Sequence, residues 1–145
     1  MEDQFEMMAK GRLFKHLMES RSMQLRREFG LKRIELEVLY FLSISGEHNT
    51  SADICHYLNV NKGYISQTVD NLCRMGYLNA EPDRRDRRYV HYMLTDYACG
   101  VVDGIRKNWD EINHQIFAGI TEEERIVYRE ISRKLKRNME KMLER

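Results

Sequence analysis

A chain of 145 residues with 42% hydrophobic residues and a single proline can build one core but is short for two, and its apolar residues recur too regularly for a disordered segment. The formal net charge is only +1, so any case for a nucleic-acid partner has to rest on a local concentration of charge. No apolar run reaches the length needed to cross a bilayer, and the start MEDQFEMM lacks the basic and apolar regions of a secretory signal, which sets the expectation of a cytoplasmic protein with no membrane partner.

In chain order, Phe14, Met18, Leu25 and Phe29, beside Leu13 and Leu17, predict a first helix from Phe5 to about Phe29, with Gly30 as its stop. Leu36, Leu39 and Leu42, widened by Val38 and Phe41, predict a second helix that runs into the turn signal SGEHN. Thr50 or Ser51 can cap a short third helix, SADICHYL, with Ile54 and Leu58 inward. After a tight NVNKG turn, Ile65, Val69 and Leu72 fall at i, i+4 and i+7 on a fourth helix ending near Gly76, which makes the pair a helix-turn-helix. The period then changes from 3.6 to 2: Tyr89, His91 and Met93 alternate with Val90, Tyr92 and Leu94, and the stretch from Leu78 to Glu81 can pair with them as a hairpin. Thr95 is placed to cap a long helix striped by Val101, Ile105, Trp109, Ile112 and Ile116. Thr121 and Glu124 open a last helix in capping-box spacing, followed by Val127, Ile131, Leu135, Met139 and Met142.

The fold expected is therefore mostly α with a small β-hairpin wing: a winged helix-turn-helix. With Ile65, Val69 and Leu72 buried, the fourth helix keeps Lys62, Tyr64, Ser66, Gln67, Asn71 and Arg74 on or near its outer side. Such a surface fits a major groove, where Gln, Asn and Ser meet base edges and Lys or Arg holds the backbone. Thr50 and Ser51, at the start of the third helix, are placed to offer backbone N–H groups to a phosphate. The hairpin tip EPDRRDRR carries Arg84, Arg85, Arg87 and Arg88, long cations suited to the negative potential of a narrow minor groove. Asp86 is then explained as the partner of Arg88, or of a neighbour, holding that guanidinium ready to enter. The alternatives are a solvated charge cluster for the loop, the wet side of an amphipathic helix for Lys62, Tyr64, Ser66 and Gln67, and packing on the hairpin for Tyr64.

NKGYISQTVDNL followed by GYLNAEPDRRDRRYVHYMLTDYACG, in this order of elements, resembles the MarR (multiple-antibiotic-resistance regulator) family of winged-helix transcription factors along nearly the whole chain. The family's wing carries Asp-x-Arg ahead of a strand ending in Leu-Thr, matched by Asp86, Arg88, Leu94 and Thr95; Ala98 stands where a glycine is usual and Ala80 where arginine is frequent. The resemblance implies a single domain over 1–145, with a DNA-binding lobe at 31–95 and dimerisation helices at 1–30 and 96–145. It further implies a homodimer on a pseudo-palindromic operator in double-stranded DNA, commonly a repressor released by a small-molecule effector. Phe5, Met8, Ile131, Leu135, Met139 and Met142, apolar residues a small lobe would struggle to cover, favour a second copy independently.

Met8, His16, Tyr40 and Trp109 are candidates to line an effector pocket, with ordinary core packing as the alternative for each. Cys55, Cys73 and Cys99 are odd in number, and with His16, His48, His56, His91 and His114 they form no tight ligand motif, so neither a disulfide framework nor a metal site is expected. No glycine-rich phosphate loop, nucleophile elbow or acid–base pair is recognisable, so neither an enzyme nor a cofactor is expected. The leading expectation is a sequence-specific DNA-binding regulator; the alternative is a winged-helix module that holds a protein or RNA without operator specificity.

Overall fold

The structure is a computed structural model describing residues 2–144, and it falls into two compact units, 1–109 and 110–145. In the first, α1 (Glu2–Phe29) has acidic residues in its first turn and Arg26 and Arg27 in its last, the polarity that complements a helix dipole. Gly30, at φ 66°, ends it in the left-handed conformation that a side chain disfavours. Next comes α2 (Arg33–Ile44), whose buried Glu35 accepts the Lys32 N–H at 2.7 Å. Thr50 caps α3 (Ser51–Leu58) reciprocally, its hydroxyl accepting the Asp53 N–H while the Asp53 carboxylate accepts the Thr50 N–H. A turn through Asn59 leads to α4 (Lys62–Arg74), capped by the Asn61 side chain, whose Oδ1 accepts the Tyr64 N–H.

The hairpin is antiparallel, β1 (Leu78–Pro82) against β2 (Val90–Leu94), in a register that runs from Leu78 opposite Leu94 to Pro82 opposite Val90. On its other edge β2 meets the turn ahead of α3: Thr50 bridges His91, and the Tyr92 N–H donates to the Asn49 carbonyl at 2.9 Å. Thr95 does not cap the long helix as its sequence position suggests. Its hydroxyl donates to the Gly76 carbonyl at 2.6 Å, pinning the end of β2 to the exit of α4, and a 3-10 turn (Asp96–Ala98) intervenes before α5 (Cys99–Ile116).

The core of this unit gathers Val38, Leu39, Ile54, Ile65, Val69, Leu72 and Val101, all essentially without exposed surface, from α2, α3, α4 and α5. At about 1.5–3 kcal/mol for each side chain removed from water, this cluster is what holds α4 and the hairpin in place. Gly104 allows α5 close to α1, since a Cβ there would meet Leu25 Cδ2 at 3.0 Å. In the second unit, Thr121 and Glu124 form the capping box that opens α6 (Glu122–Leu143). Arg125 stacks over the Phe117 ring, and Tyr128 meets the same ring edge-on.

Candidate nucleic-acid interface

The face of α4 that the core leaves over is set by helical spacing. Ile65, Thr68, Val69 and Leu72 are buried, and the Thr68 hydroxyl is satisfied by the Tyr64 carbonyl. Lys62, Tyr64, Gln67 and Arg74 are exposed, with Ser66 and Asn71 half-buried at the edges. Lys62, Tyr64, Ser66 and Gln67 gather on the N-terminal half, the end of a recognition helix that reaches base edges. Asn71 and Arg74 lie roughly 6 and 10 Å beyond Gln67 along the axis at about 1.5 Å per residue. There the Arg74 guanidinium is hydrogen-bonded to the Asn71 side chain. Gln67 and Arg74 face an open groove between α4 and the hairpin, opposite Val90 and Tyr92. Asp70 shares that groove and sets a carboxylate beside them.

At the start of α3 the Thr50 N–H and hydroxyl are both engaged with Asp53. Of the two residues expected to offer an amide to a phosphate, Ser51 is the one whose N–H this cap does not use.

The wing is built on two aspartates. One oxygen of Asp83 accepts the N–H of Arg85 at 2.8 Å and of Asp86 at 3.0 Å, and the other lies 2.7 Å from His91 Nε2. The His91 contact, followed by those two amides, pulls the Asp83 carboxyl down to about 2. Asp86 takes the Arg88 guanidinium in a fork, with Nη2 at 2.7 Å and Nε at 3.0 Å. That pairing lowers the Asp86 carboxyl and raises Arg88. The pair stands in solvent, the Arg88 side chain 87% exposed, so the fork orients a guanidinium without burying it. Arg84, Arg85 and Arg87 are exposed around it and make no ion pair among the described residues. A short spaced fork of this kind beside a polar helix face can hold a cation over one groove while the helix occupies the next.

Residues 31–98 match the family described as "Winged helix DNA-binding domain". The chain has a winged-helix fold. It superposes on the MarR protein from Peptoclostridium difficile with a TM-score of 0.78 at 20% identity, covering 94% of this chain and 88% of that one. Streptococcus pneumoniae FabT in complex with DNA gives 0.76 at 21%, covering 96% and 98%, and the S. aureus MepR–DNA complex gives 0.59 at 23%, covering 91% and 93%. At these identities the likeness concerns the fold. Among curated proteins, the transcriptional regulator AdcR of Streptococcus pneumoniae serotype 2 is 28% identical over 76 residues, 52% of this chain and 51% of AdcR, so the match spans about half of that relative. The matched family is described as DNA-binding, FabT and MepR are seen on DNA, and AdcR is a transcriptional regulator.

In this winged helix the four residues suggested for an effector pocket separate. Tyr40 and Trp109 stack with ring centroids 5.9 Å apart and line a cleft of about 320 Å³ with Met18, Leu36 and Ile105. Arg33 stands at that cleft, ion-paired to Glu19 at 3.1 Å and to Glu37 at 3.0 Å. His16 is not part of it. Two residues from Met18 on α1 means roughly 200° around the helix, and His16 instead lines a separate groove with Glu19 and Met23. Met8 is exposed and lies nearly three turns before Met18 on α1. Cys55 and Cys73 are half-buried; burial, then the Asp70 charge, raises the Cys73 thiol. Among the described residues no cluster of potential ligands could hold a metal ion, and no helix is long and apolar enough to cross a membrane.

Sequence reasoning missed Asp83, His91 and Asn49. The first had a local signal, an aspartate followed two and three residues on by amides in a turn. The other two are 42 positions apart, and nothing in the sequence marks them as neighbours.

Proposed function

We propose that this protein is a sequence-specific transcriptional regulator that binds double-stranded DNA as a homodimer, acting as a repressor that a small apolar molecule releases. The observation that carries this reading is the Asp86–Arg88 fork, held in solvent at the tip of a hairpin whose strands pack on α4, the helix with the polar outer face. In it, Lys62 and Tyr64 grip the backbone at the entry of the major groove while Ser66 and Gln67 meet base edges. Arg88 enters the flanking minor groove, with Arg84, Arg85 and Arg87 on the phosphates beside it. Ser51 at the start of α3 adds an amide contact to the same strand, and Asn71 and Arg74 serve the far edge of the site. The dimer is supported by the half-exposed apolar residues on α1 and on α6, and it sets the two half-sites about 34 Å apart, one turn of duplex. The effector reading rests on the Tyr40–Trp109 cleft, apolar inside with one arginine at its edge.

Selection of bound fragments from a random duplex library with purified protein tests this reading, followed by fluorescence anisotropy on the winner and a scrambled duplex. Enrichment of a two-fold symmetric sequence, bound at least tenfold tighter than the scramble at physiological salt, is expected. Equal affinity for both duplexes would leave the wing and α4 as a general anion surface and end the operator reading.

A further inference from the structure

One side chain of β2 links the wing turn to the turn that enters α3. His91 Nε2 lies 2.7 Å from Asp83 Oδ2 at the root of the wing, and Nδ1 lies 2.5 Å from Asn49 Oδ1 in the turn that enters α3. An oxygen on each side of an imidazole is satisfied at both nitrogens only when both carry protons. The backbone repeats the connection, because Thr50 bridges His91 and the Tyr92 N–H donates to Asn49. One ring thus touches the carboxylate that shapes the wing turn and the residue next to the cap of α3, the two places where the lobe would grip phosphate strands.

We propose that Asn49, His91 and Asp83 form a bracket in which the imidazolium of His91 positions the wing, and with it Arg88, relative to the start of α3 for DNA binding. The inference rests on the DNA reading above. Charged groups approach the ring from several elements. Asp83 is in contact, and Glu81 is its register partner across the hairpin. From the α3 side, Asp53 is already shared between Thr50 and His48, the latter at 3.5 Å. Asp103 and Arg106 of α5, which flank the groove lined by Asn49 and Tyr92, carry opposite signs and offset each other. Losing the ring proton leaves one contact without a donor, so the wing swings free of the turn and the arginine loses its preset position.

The test measures affinity for the selected duplex by anisotropy at pH 6 and pH 8 at constant ionic strength. Wild-type affinity is expected to fall on the order of fivefold across that interval, in which an imidazole gives up its charge. His91→Gln, which cannot titrate, is expected to bind at both pH values about as weakly as wild type does at pH 8. Asn49→Ala keeps the titrating ring and removes one acceptor, so it should bind more weakly at pH 6 and show a smaller slope. An unchanged slope in Asn49→Ala would show that the phosphates alone retain the proton and would overturn the bracket. A flat wild-type profile would do the same, since a neutral ring facing a turned Asn49 amide satisfies both contacts. A readout without DNA separates this from failure of the operator reading: hydrogen exchange of the Tyr92 amide should speed up several-fold in His91→Gln at pH 6 and not at pH 8. Exchange that is identical in the two proteins sinks the bracket whatever the duplex results.

Discussion

α4 and α6 carry the same kind of pattern and meet opposite fates. Ile65, Val69 and Leu72 repeat along α4 and are fully buried; Ile131, Leu135 and Met139 repeat along α6 and remain 51%, 45% and 54% exposed. In α4 the stripe is covered by α2, α3 and β1 of the same lobe, whereas the second unit offers α6 little beyond the end of α5 and one turn. Periodicity therefore says that a face wants covering and leaves open whether the chain itself supplies the cover. That difference divides the molecule into a part whose stability is its own and a part whose apolar face favours a second copy.

The strongest way to break the comparison is to open the α4 stripe. Leu72→Ala should cost about 2–5 kcal/mol of stability through lost burial and the cavity left behind, read as a lower denaturant midpoint in urea. A loss under about 1 kcal/mol would mean that the lobe can collapse around the gap. Next in size is Leu135→Glu on α6. It should leave far-ultraviolet circular dichroism intact, convert a dimer to a monomer in light scattering, and weaken binding to a two-half-site duplex on the order of a hundredfold, because the second lobe no longer binds as a tethered partner. Wild type running as a monomer, or the variant staying dimeric, would show that α6 is not the dimer face.

Which parts of this were legible follows from the range of the interactions. The helices, their stops at Gly30 and Gly76, and the Thr121–Glu124 box depend on residues within a turn or two of one another, so spacing alone locates them. The Asp86–Arg88 pair is likewise two residues apart, and its geometry is as local as its sequence signal. Thr95 looked like a cap because threonine before a helical stripe usually is one, but its hydroxyl reached the Gly76 carbonyl, 19 residues back, instead. The contact between Asn49 and His91 is of that long-range kind. Met8 and His16 failed to join Tyr40 and Trp109 for a different reason: apolar or aromatic character does not say which side of a 28-residue helix faces a cleft.

Smaller effects sharpen the division within the lobe itself, between the core that holds α4 and the wing that has no core. Arg88→Ala should lower operator affinity about tenfold with no change in the urea midpoint, since the side chain is exposed and its partner is a surface carboxylate. Asp86→Ala should cost about threefold, because it frees the guanidinium without removing it. Lys62→Ala separates backbone grip from readout: its loss should be similar on operator and scramble and should reduce the slope of log affinity against log salt by about 1. Unchanged affinity in both Arg88→Ala and Asp86→Ala would remove the wing from recognition.

The gentlest perturbation is acid. Asp83 is held at about 2 against an ordinary 3.8, so its folded-state contacts favour the carboxylate. Their contribution is fully present above 3.8 and is lost as the pH falls through about 2. Because the group sits at the surface, the effect belongs to the wing turn and adds little to global stability. The Arg85 and Asp86 amide resonances should therefore shift together with a midpoint near 2, while signals of Ile65 and Val69 report any separate unfolding of the lobe. Asp83→Asn should abolish that step. A midpoint at the ordinary carboxylate value would mean that the amides and His91 do not hold Asp83 in solution, and the wing turn would then be ordered by the β1–β2 ladder and the Asp86–Arg88 fork.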